Sequence, residues 1–229
     1  MIKAILFDFD GTMSNRQVNA YGVFEEYLAP YFKDMSDIEY EAVLQDLMIS
    51  DCNGSIDIIF RLKPFVHKYG KYLPSDFIEV FTDYYMEYMW KHAVLKPNAL
   101  FILDKLRKDG YKLGLLSNGD AKSQYDKINY CKLPEEFDEI IVTGDYGISK
   151  PNPEIFKIMA NKLGVKPEEC IYIGDTFSTD ILGAIKANMI PVWITQLSER
   201  PANRYKGYRI EKLEELLDIV KKENNLWPN

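Results

Sequence analysis

The sequence has few cysteines and no long hydrophobic run, and each shortage excludes a class of protein. Its three cysteines, Cys52, Cys131 and Cys170, are widely spaced, which is typical of reduced thiols and not of a disulfide framework or a zinc site. No apolar stretch approaches the roughly 18 residues of a membrane span. The amino-terminal segment becomes acidic too soon for a signal peptide. We therefore expect a cytoplasmic protein without a membrane partner.

Positive charge is also in the minority. The chain carries 28 Lys and Arg residues against 35 Asp and Glu residues, a net charge of −7 over 229 residues. Proteins that bind nucleic acids or anionic membranes depend on clustered basic side chains, so we expect no nucleic-acid partner. A small phosphorylated substrate remains compatible, because a small anion responds to local charge. Nothing in the pattern indicates an oligomeric state.

Short apolar runs alternate with helix-like segments over most of the chain. The runs are rich in β-branched and large apolar residues, which is typical of strands buried on both faces. The alternation predicts an α/β fold with a Rossmann-like three-layer core and a parallel sheet. Strands are predicted in 4–12, 111–118, 139–145, 170–175 and 189–195, and helices in 98–110, 153–163, 178–187 and 211–222.

Residues 15–94 interrupt this alternation. The segment contains several amphipathic helical patterns and no convincing strand, so we predict an inserted all-helical domain, with 1–14 and 95–229 forming the α/β core. By count along the sequence, it holds 16 of the 31 aromatic residues. These aromatic side chains either fill the core of the helical domain or line a substrate pocket.

Two carboxylates, Asp8 and Asp10, lie at the end of the first apolar run. Side chains two positions apart on an extended strand point to the same face. At about 4 Å, two like charges repel by roughly 4 kcal/mol at an effective dielectric constant near 20. The pair therefore requires a cation, or one of the two acids must hold a proton.

Polar residues also lie at the ends of other predicted strands. Ser117 and Asn118 end the second run, and Asp175 ends the fourth. Ligands of a parallel α/β sheet bind at the carboxyl ends of its strands, so we expect these side chains to share one edge. Lys150 supplies one positive charge, and Mg²⁺ with carboxylate, water and phosphate ligands would offset the remaining negative charge. An ionised Asp8 is then a possible nucleophile that forms an aspartyl phosphate.

Four segments resemble, in order, the four motifs of the haloacid dehalogenase superfamily. They are "ILFDFDGT", "LLSN", the lysine of "GISKPNPEIF" and "YIGDTFSTD". The likeness covers about 150 residues outside the inserted segment. The insertion after the first motif resembles the helical cap of the phosphoglycolate phosphatase-like and nucleotidase-like members, and the resemblance implies that 15–94 is such a cap.

The resemblance implies a role for each motif residue. Asp8 would attack phosphorus, and Asp10 would protonate the leaving oxygen and then activate water. Asp8, Asp175 and the backbone carbonyl of Asp10 would bind Mg²⁺, while Asp180 would orient the water ligands of the metal. The phosphoryl group would be bound by Thr12, Ser117, Asn118 and Lys150, although Thr12 is equally suited to cap the turn.

The function that follows is a Mg²⁺-dependent phosphomonoester hydrolase acting on a small cytoplasmic metabolite. The acid at position 10 argues against a dehalogenase, because dehalogenases of this superfamily lack an acid there. A sugar phosphomutase of the same superfamily and a non-catalytic phosphate-binding module are the alternatives. The aromatic content of 15–94 suits a nucleobase, so a nucleoside 5′-monophosphate is the first substrate hypothesis.

Overall fold

A computed structural model describes residues 1–54, 56–195 and 202–224. The chain divides into two compact units, one formed by Met1–Ser14 with Leu95–Asn229 and the other by Asn15–Val94. The first unit contains the sheet, and the second is helical. The interpretation of the helical unit as a cap stays a prediction.

Six parallel strands form the sheet in the described part of the first unit. The spatial order is β3-β2-β1-β4-β5-β6, so the first strand lies at the centre, between β2 and β4. The four residues of β1 are all buried, as expected for a central strand covered on both faces. The strands are β1 (Ala4–Phe7), β2 (Lys112–Ser117), β3 (Glu139–Val142), β4 (Cys170–Gly174), β5 (Ile190–Ile194) and β6 (Tyr208–Ile210).

Helices cover both faces of this sheet. Alternate residues of β1 enter different apolar clusters: Ile5 and Phe7 pack with one set of helices, and Ala4 and Leu6 pack with another. The predicted three-layer α/β core is therefore confirmed. The first set is α5 (Ala99–Lys108), α6 (Ala121–Tyr130) and α9 (Leu216–Glu223), and the second is α7 (Pro153–Lys162) and α8 (Leu182–Lys186).

Two elements of this unit were absent from the prediction, namely α6 and β6. Helix α6 begins after Asp120, whose side chain accepts a hydrogen bond from the Ser123 backbone N–H at 2.9 Å. Its buried positions include Gln124 and Lys127, so it has no continuous apolar stripe for a periodicity argument to detect. Strand β6 has three residues and lies at the edge of the sheet, which is too short to recognise from sequence.

The helical unit is built around its own core. An Asn15 side-chain cap begins the first helix, a capping box at Ser36 the second and an Asp57 cap the third, all typical helix starts. In the described part of this unit the α-helices are α1 (Arg16–Leu28), α2 (Asp37–Ser50), α3 (Ile58–Tyr69) and α4 (Phe77–Tyr88). Across the described residues of the whole chain, we find no helix with the length and apolar character needed to cross a membrane.

Aromatic rings fill the core of the helical unit. The Tyr27 ring lies 4.9 Å from Phe81 and 4.6 Å from Tyr84, and Phe77 stacks on Phe81 at 5.4 Å between centroids. Packing inside the unit therefore accounts for the aromatic enrichment without a ligand. Twelve of the 16 aromatic residues belong to this core: Tyr21, Phe24, Tyr27, Tyr31, Phe32, Tyr40, Phe65, Tyr69, Phe77, Phe81, Tyr84 and Tyr85.

Replacing Phe81 with alanine is expected to lower the free energy of unfolding by about 3–5 kcal/mol. Its side chain is fully buried and contacts four other rings. The matched control is Phe60→Ala, whose ring is 63% exposed and whose loss should change stability by less than about 0.5 kcal/mol. Chemical denaturation followed by circular dichroism measures both, and equal losses would contradict the proposed core.

Candidate active site

The carboxyl ends of three adjacent strands meet at one edge of the sheet. Strand β1 lies between β2 and β4 in parallel register, so the residues that follow these strands lie side by side. The Asp8 backbone N–H donates to the Ile173 carbonyl at 2.8 Å, which continues the pairing past the end of β1. This arrangement brings Asp8, Ser117 and Asp175 to one edge.

Three carboxylates form an acidic cluster at this edge. Asp8, Asp175 and Asp180 each offer an oxygen, and these oxygens lie within 4.8 Å of one another. Asp8 is 6% exposed and Asp180 is 1% exposed. Asp180 reaches the cluster from a single π-helical turn, Phe177–Ile181, that follows β4.

Lys150 joins two members of the acidic cluster. Its Nζ donates to Asp8 Oδ1 and to Asp180 Oδ1, both at 2.7 Å, and it also contacts the Tyr172 hydroxyl at 3.0 Å and the Leu116 carbonyl at 3.1 Å. Burial alone would lower the pKa of Lys150, but the charges of Asp180 and Asp8 raise it well above its ordinary value. Lys150 is therefore a buried cation.

The acidic cluster carries more negative charge than Lys150 offsets. Burial raises the pKa of Asp8 to about 8; Lys150 opposes this rise and Asp180 adds to it. Burial and the charge of Asp180 also raise the pKa of Asp175 to about 6. A hard divalent cation with oxygen ligands would stabilise the ionised carboxylates. The donor chemistry of this cluster therefore suits Mg²⁺.

Lys96 is a second cation near this cluster, and the sequence analysis missed it. Burial lowers the pKa of Lys96, while the charges of Asp175 and Asp8 oppose that change. The Lys96 backbone N–H donates to the Met13 carbonyl at 2.8 Å, which ties this residue to the turn after β1. Lys96 belongs to none of the four motifs, so no sequence signal marked it.

Asp180 differs from the other acids in how its oxygens are used. Oδ1 accepts hydrogen bonds from Lys150 at 2.7 Å and from the Tyr172 hydroxyl at 3.1 Å, and Oδ2 accepts from the Thr176 backbone N–H at 2.9 Å. Both oxygens therefore have protein donors. The role implied by the resemblance, in which Asp180 orients the water ligands of a metal, stays a prediction.

Asp10 lies in a different environment from Asp8. Its Oδ2 accepts an ion-pair hydrogen bond from Lys127 Nζ and a hydrogen bond from Gln124 Nε2 at 2.9 Å. Its Oδ1 lies 3.4 Å from the Ser14 hydroxyl. Sequence reasoning missed Lys127 and Gln124 because it did not predict helix α6.

The structure changes the explanation of the Asp8–Asp10 pair. Strand β1 ends at Phe7, so the two acids follow the strand and the alternation of side chains along a strand does not fix their directions. Lys150 contacts Asp8, whereas Lys127 contacts Asp10. The repulsion expected from the sequence is therefore reduced by two separate lysines.

The residues predicted to bind phosphate lie around the same edge. Ser117 ends β2 and is 1% exposed. The Lys150 backbone N–H donates to Asn118 Oδ1 at 3.0 Å, and Asn118 Nδ2 donates to the Lys150 carbonyl at 3.1 Å. The Asn118 side chain therefore anchors the segment that contains Lys150. The buried Thr12 hydroxyl has no hydrogen-bond partner among the described residues. A ligand oxygen at Thr12 would remove a penalty of about 1–3 kcal/mol.

Comparison with known proteins identifies the family. Residues 5–194 match the model of the haloacid dehalogenase-like hydrolases. The chain is 30% identical to the glyceraldehyde 3-phosphate phosphatase of Methanopyrus kandleri, over 96% of this chain and 98% of that protein. It is 35% identical to human N-acylneuraminate-9-phosphatase over 58% of each chain. A magnesium-bound hydrolase of the haloacid dehalogenase (HAD) type from Bacillus subtilis shares the fold, with a TM-score of 0.72 and 22% identity over 96% of this chain and 98% of that one.

These findings and the site define a phosphoryl-group hydrolase on an α/β scaffold. The chain belongs to the haloacid dehalogenase-like hydrolases. The predicted enzyme class, a phosphatase that hydrolyses phosphomonoesters of small metabolites, is confirmed by its relatives.

Gly11 offers a test of this geometry. Its φ is +84°, and a Cβ placed there would lie 2.2 Å from Asp175 Oδ2. Gly11→Ala is expected to displace Asp175 and lower phosphatase activity by about 100-fold. Hydrolysis of p-nitrophenyl phosphate by the folded variant measures the loss.

Gly110→Ala is the matched control, because Gly110 has a φ of +89° and a Cβ added there would meet no atom within 4 Å. Both variants carry a similar backbone strain of about 1–2 kcal/mol, which thermal unfolding measures. Only Gly11→Ala should lose activity. Equal activities would contradict the contact with Asp175.

Proposed function

We propose that this protein hydrolyses phosphomonoesters by transferring the phosphoryl group to Asp8. The observation that supports this most directly is the placement of the Asp8 carboxylate, which lies beside Lys150 within a cluster of three acids. Lys150 holds one Asp8 oxygen, which fixes the orientation of the carboxylate and leaves the other oxygen for attack. An ionised carboxylate is an established nucleophile toward phosphorus.

The first step transfers the phosphoryl group. Asp8 forms a bond to phosphorus while the ester P–O bond breaks, and the departing oxygen takes a proton from the Asp10 carboxyl group. The products are an alcohol and an aspartyl phosphate at Asp8. Lys150 and the hydroxyls of Thr12 and Ser117 are proposed to offset the charge on the phosphoryl oxygens.

The second step releases inorganic phosphate. A water molecule attacks phosphorus and gives a proton to the Asp10 carboxylate, while the bond between phosphorus and the Asp8 oxygen breaks. Asp8 returns as a carboxylate and Asp10 returns as an acid, so both residues are restored. One residue thus serves as acid and then as base.

Mg²⁺ is proposed to bind through Asp8, Asp175 and the Asp10 backbone carbonyl, with Asp180 orienting its water ligands. When bound, the ion supplies positive charge that neutralises the phosphoryl oxygens and the clustered acids. The oxygen-only donor set and the raised pKa of Asp8 and Asp175 support this ion.

For the substrate, we infer a small molecule with its phosphate on a terminal carbon of a hydroxylated chain. Glyceraldehyde 3-phosphate and N-acylneuraminate 9-phosphate, which appear in the names of the relatives, both carry their phosphate in this way. The nucleoside 5′-monophosphate hypothesis stays a prediction, but the aromatic residues that motivated it pack mainly with one another. A panel of phosphomonoesters that tests the substrate therefore contains glyceraldehyde 3-phosphate, N-acylneuraminate 9-phosphate and a nucleoside 5′-monophosphate.

The helical unit, Asn15–Val94, is proposed to be the cap of this enzyme. The support is its place in the chain, directly after the first motif and before α5. The sequence left a sugar phosphomutase and a non-catalytic phosphate-binding module as alternatives, and the relatives named as phosphatases favour hydrolysis over both. A mutase would return the phosphoryl group to a sugar, and a binding module would release no phosphate.

Asp8→Asn tests the nucleophile. Phosphate release from the panel with Mg²⁺ should fall by roughly 10³-fold or more, because the amide is a poor nucleophile, and EDTA should stop the wild-type reaction. The control is Asp104→Asn, which removes a half-exposed carboxylate on α5 and should leave the rate unchanged. Undiminished turnover by Asp8→Asn would exclude the proposed mechanism, and release of isomerised sugar phosphate would favour a mutase.

Asp10 and Asp175 should separate proton transfer from metal binding. Asp10→Asn is expected to lower turnover by about 10²–10⁴-fold while retaining Mg²⁺ affinity, because its proposed metal ligand is a backbone carbonyl. Asp175→Asn should weaken Mg²⁺ binding itself. Isothermal titration calorimetry with Mg²⁺ measures both, and equal losses of affinity would contradict this division of roles.

A further inference from the structure

The carboxyl group of Asp10 is held by two side chains of helix α6. Lys127 reaches Oδ2 from a side chain that is 1% exposed, and Gln124 Nε2 reaches the same oxygen at 2.9 Å. An ammonium is costly to bury unless it is paired. The ion pair with Asp10 therefore accounts for the presence of a buried lysine on this helix.

These contacts distinguish the two oxygens of Asp10. Lysine donates hydrogen bonds and cannot accept them, and the Gln124 contact uses its amide nitrogen, which is also a donor. A proton on Oδ2 would displace one of these donors. Oδ1 faces the Ser14 hydroxyl at 3.4 Å, and a hydroxyl can donate or accept. Lys127 and Gln124 therefore hold Oδ2 as a hydrogen-bond acceptor.

The two side chains are themselves fixed. Gln124 Nε2 also donates to the Asn118 carbonyl at 2.9 Å, which connects Asp10 to the loop after β2. Lys127 Nζ lies 5.4 Å from the centre of the Phe9 ring, a distance at which a cation is attracted to an aromatic face. Helix α6 therefore anchors Asp10 through side chains that have further contacts of their own.

We propose that Lys127 and Gln124 are positioning residues that hold Oδ2 of Asp10 and so fix the direction of the carboxyl group that exchanges a proton with the leaving oxygen and with water. This inference rests on the proposed phosphatase mechanism. Neither residue contacts the reacting phosphorus in this scheme. Their effect is confined to the two steps in which Asp10 transfers a proton.

Substrates with different leaving groups distinguish a defect in proton transfer from a general loss of activity. Departure of an alkoxide requires a proton from Asp10, whereas p-nitrophenolate is weakly basic and departs without one. In Lys127→Met, kcat/KM should fall by about 10²-fold for the best alkyl phosphate of the panel and by less than about tenfold for p-nitrophenyl phosphate. A general structural defect would lower both values together.

The second step provides an independent measurement. With p-nitrophenyl phosphate, Lys127→Met still forms the aspartyl phosphate but activates water poorly. Phosphorylated protein should therefore accumulate in acid-quenched samples analysed by mass spectrometry, in contrast to the wild type. In an Asp10→Asn background, Lys127→Met should cause no further selective loss, because both residues act through one carboxyl group.

Three variants complete the experiment. Lys122→Met removes a lysine from the same helix whose side chain is 64% exposed and pairs with Asp126, and it should behave as the wild type. Lys127→Arg should restore part of the alkyl phosphate activity. Gln124→Met should also lose more kcat/KM for the alkyl phosphate than for p-nitrophenyl phosphate, by a smaller factor than Lys127→Met. It replaces Lys127→Met in the experiment if that variant does not fold.

The outcomes separate this inference from the proposed function. If the wild type hydrolyses both substrates and Lys127→Met and Gln124→Met lose neither activity, or lose both equally, the positioning role is wrong and the phosphatase mechanism stands. If the wild type releases no phosphate from either substrate with Mg²⁺, the proposed function fails and this inference fails with it.

Discussion

The buried ammonium of Lys150 is the constraint on which the site and the centre of the sheet both depend. It can remain charged only because Asp8 and Asp180 each lie 2.7 Å from it. The same Nζ contacts the Leu116 carbonyl of β2 and the Tyr172 hydroxyl of β4. Three neighbouring strands therefore meet around one charge, and a change in their register would leave that charge without its partners.

Two different lysines pair with the two nearby acids for which we propose different roles. Asp8 is grouped with Asp175 and Asp180 in a buried site whose surplus negative charge suits a divalent cation. Asp10 instead forms an ion pair with Lys127 on α6. Under the proposed mechanism, Asp8 binds the metal and attacks phosphorus while Asp10 transfers the proton, although only Phe9 separates the two acids in the chain.

The helical unit can be inserted after the first motif because it carries its own core. Its aromatic cluster is complete within residues 15–94. The chain leaves and returns at adjacent points: Ser14 and Leu95 form an antiparallel bridge within the first unit, and the Asn15 backbone N–H donates to the Val94 carbonyl at 2.7 Å within the second. The insertion therefore adds a domain without separating β1 from its neighbours.

The sequence by itself determined the alternation of buried strands and helices, the all-helical character of residues 15–94 and the motif residues Asp8, Lys150 and Asp175. These follow from local patterns, because burial on both faces demands apolar runs and the ends of parallel strands share an edge. Only the tertiary structure decided that Lys127 pairs with Asp10, 117 positions away, and that Lys96 lies near the acids. The physical reason is that such partners are selected by proximity in space and charge, which leave no periodic signal along the chain.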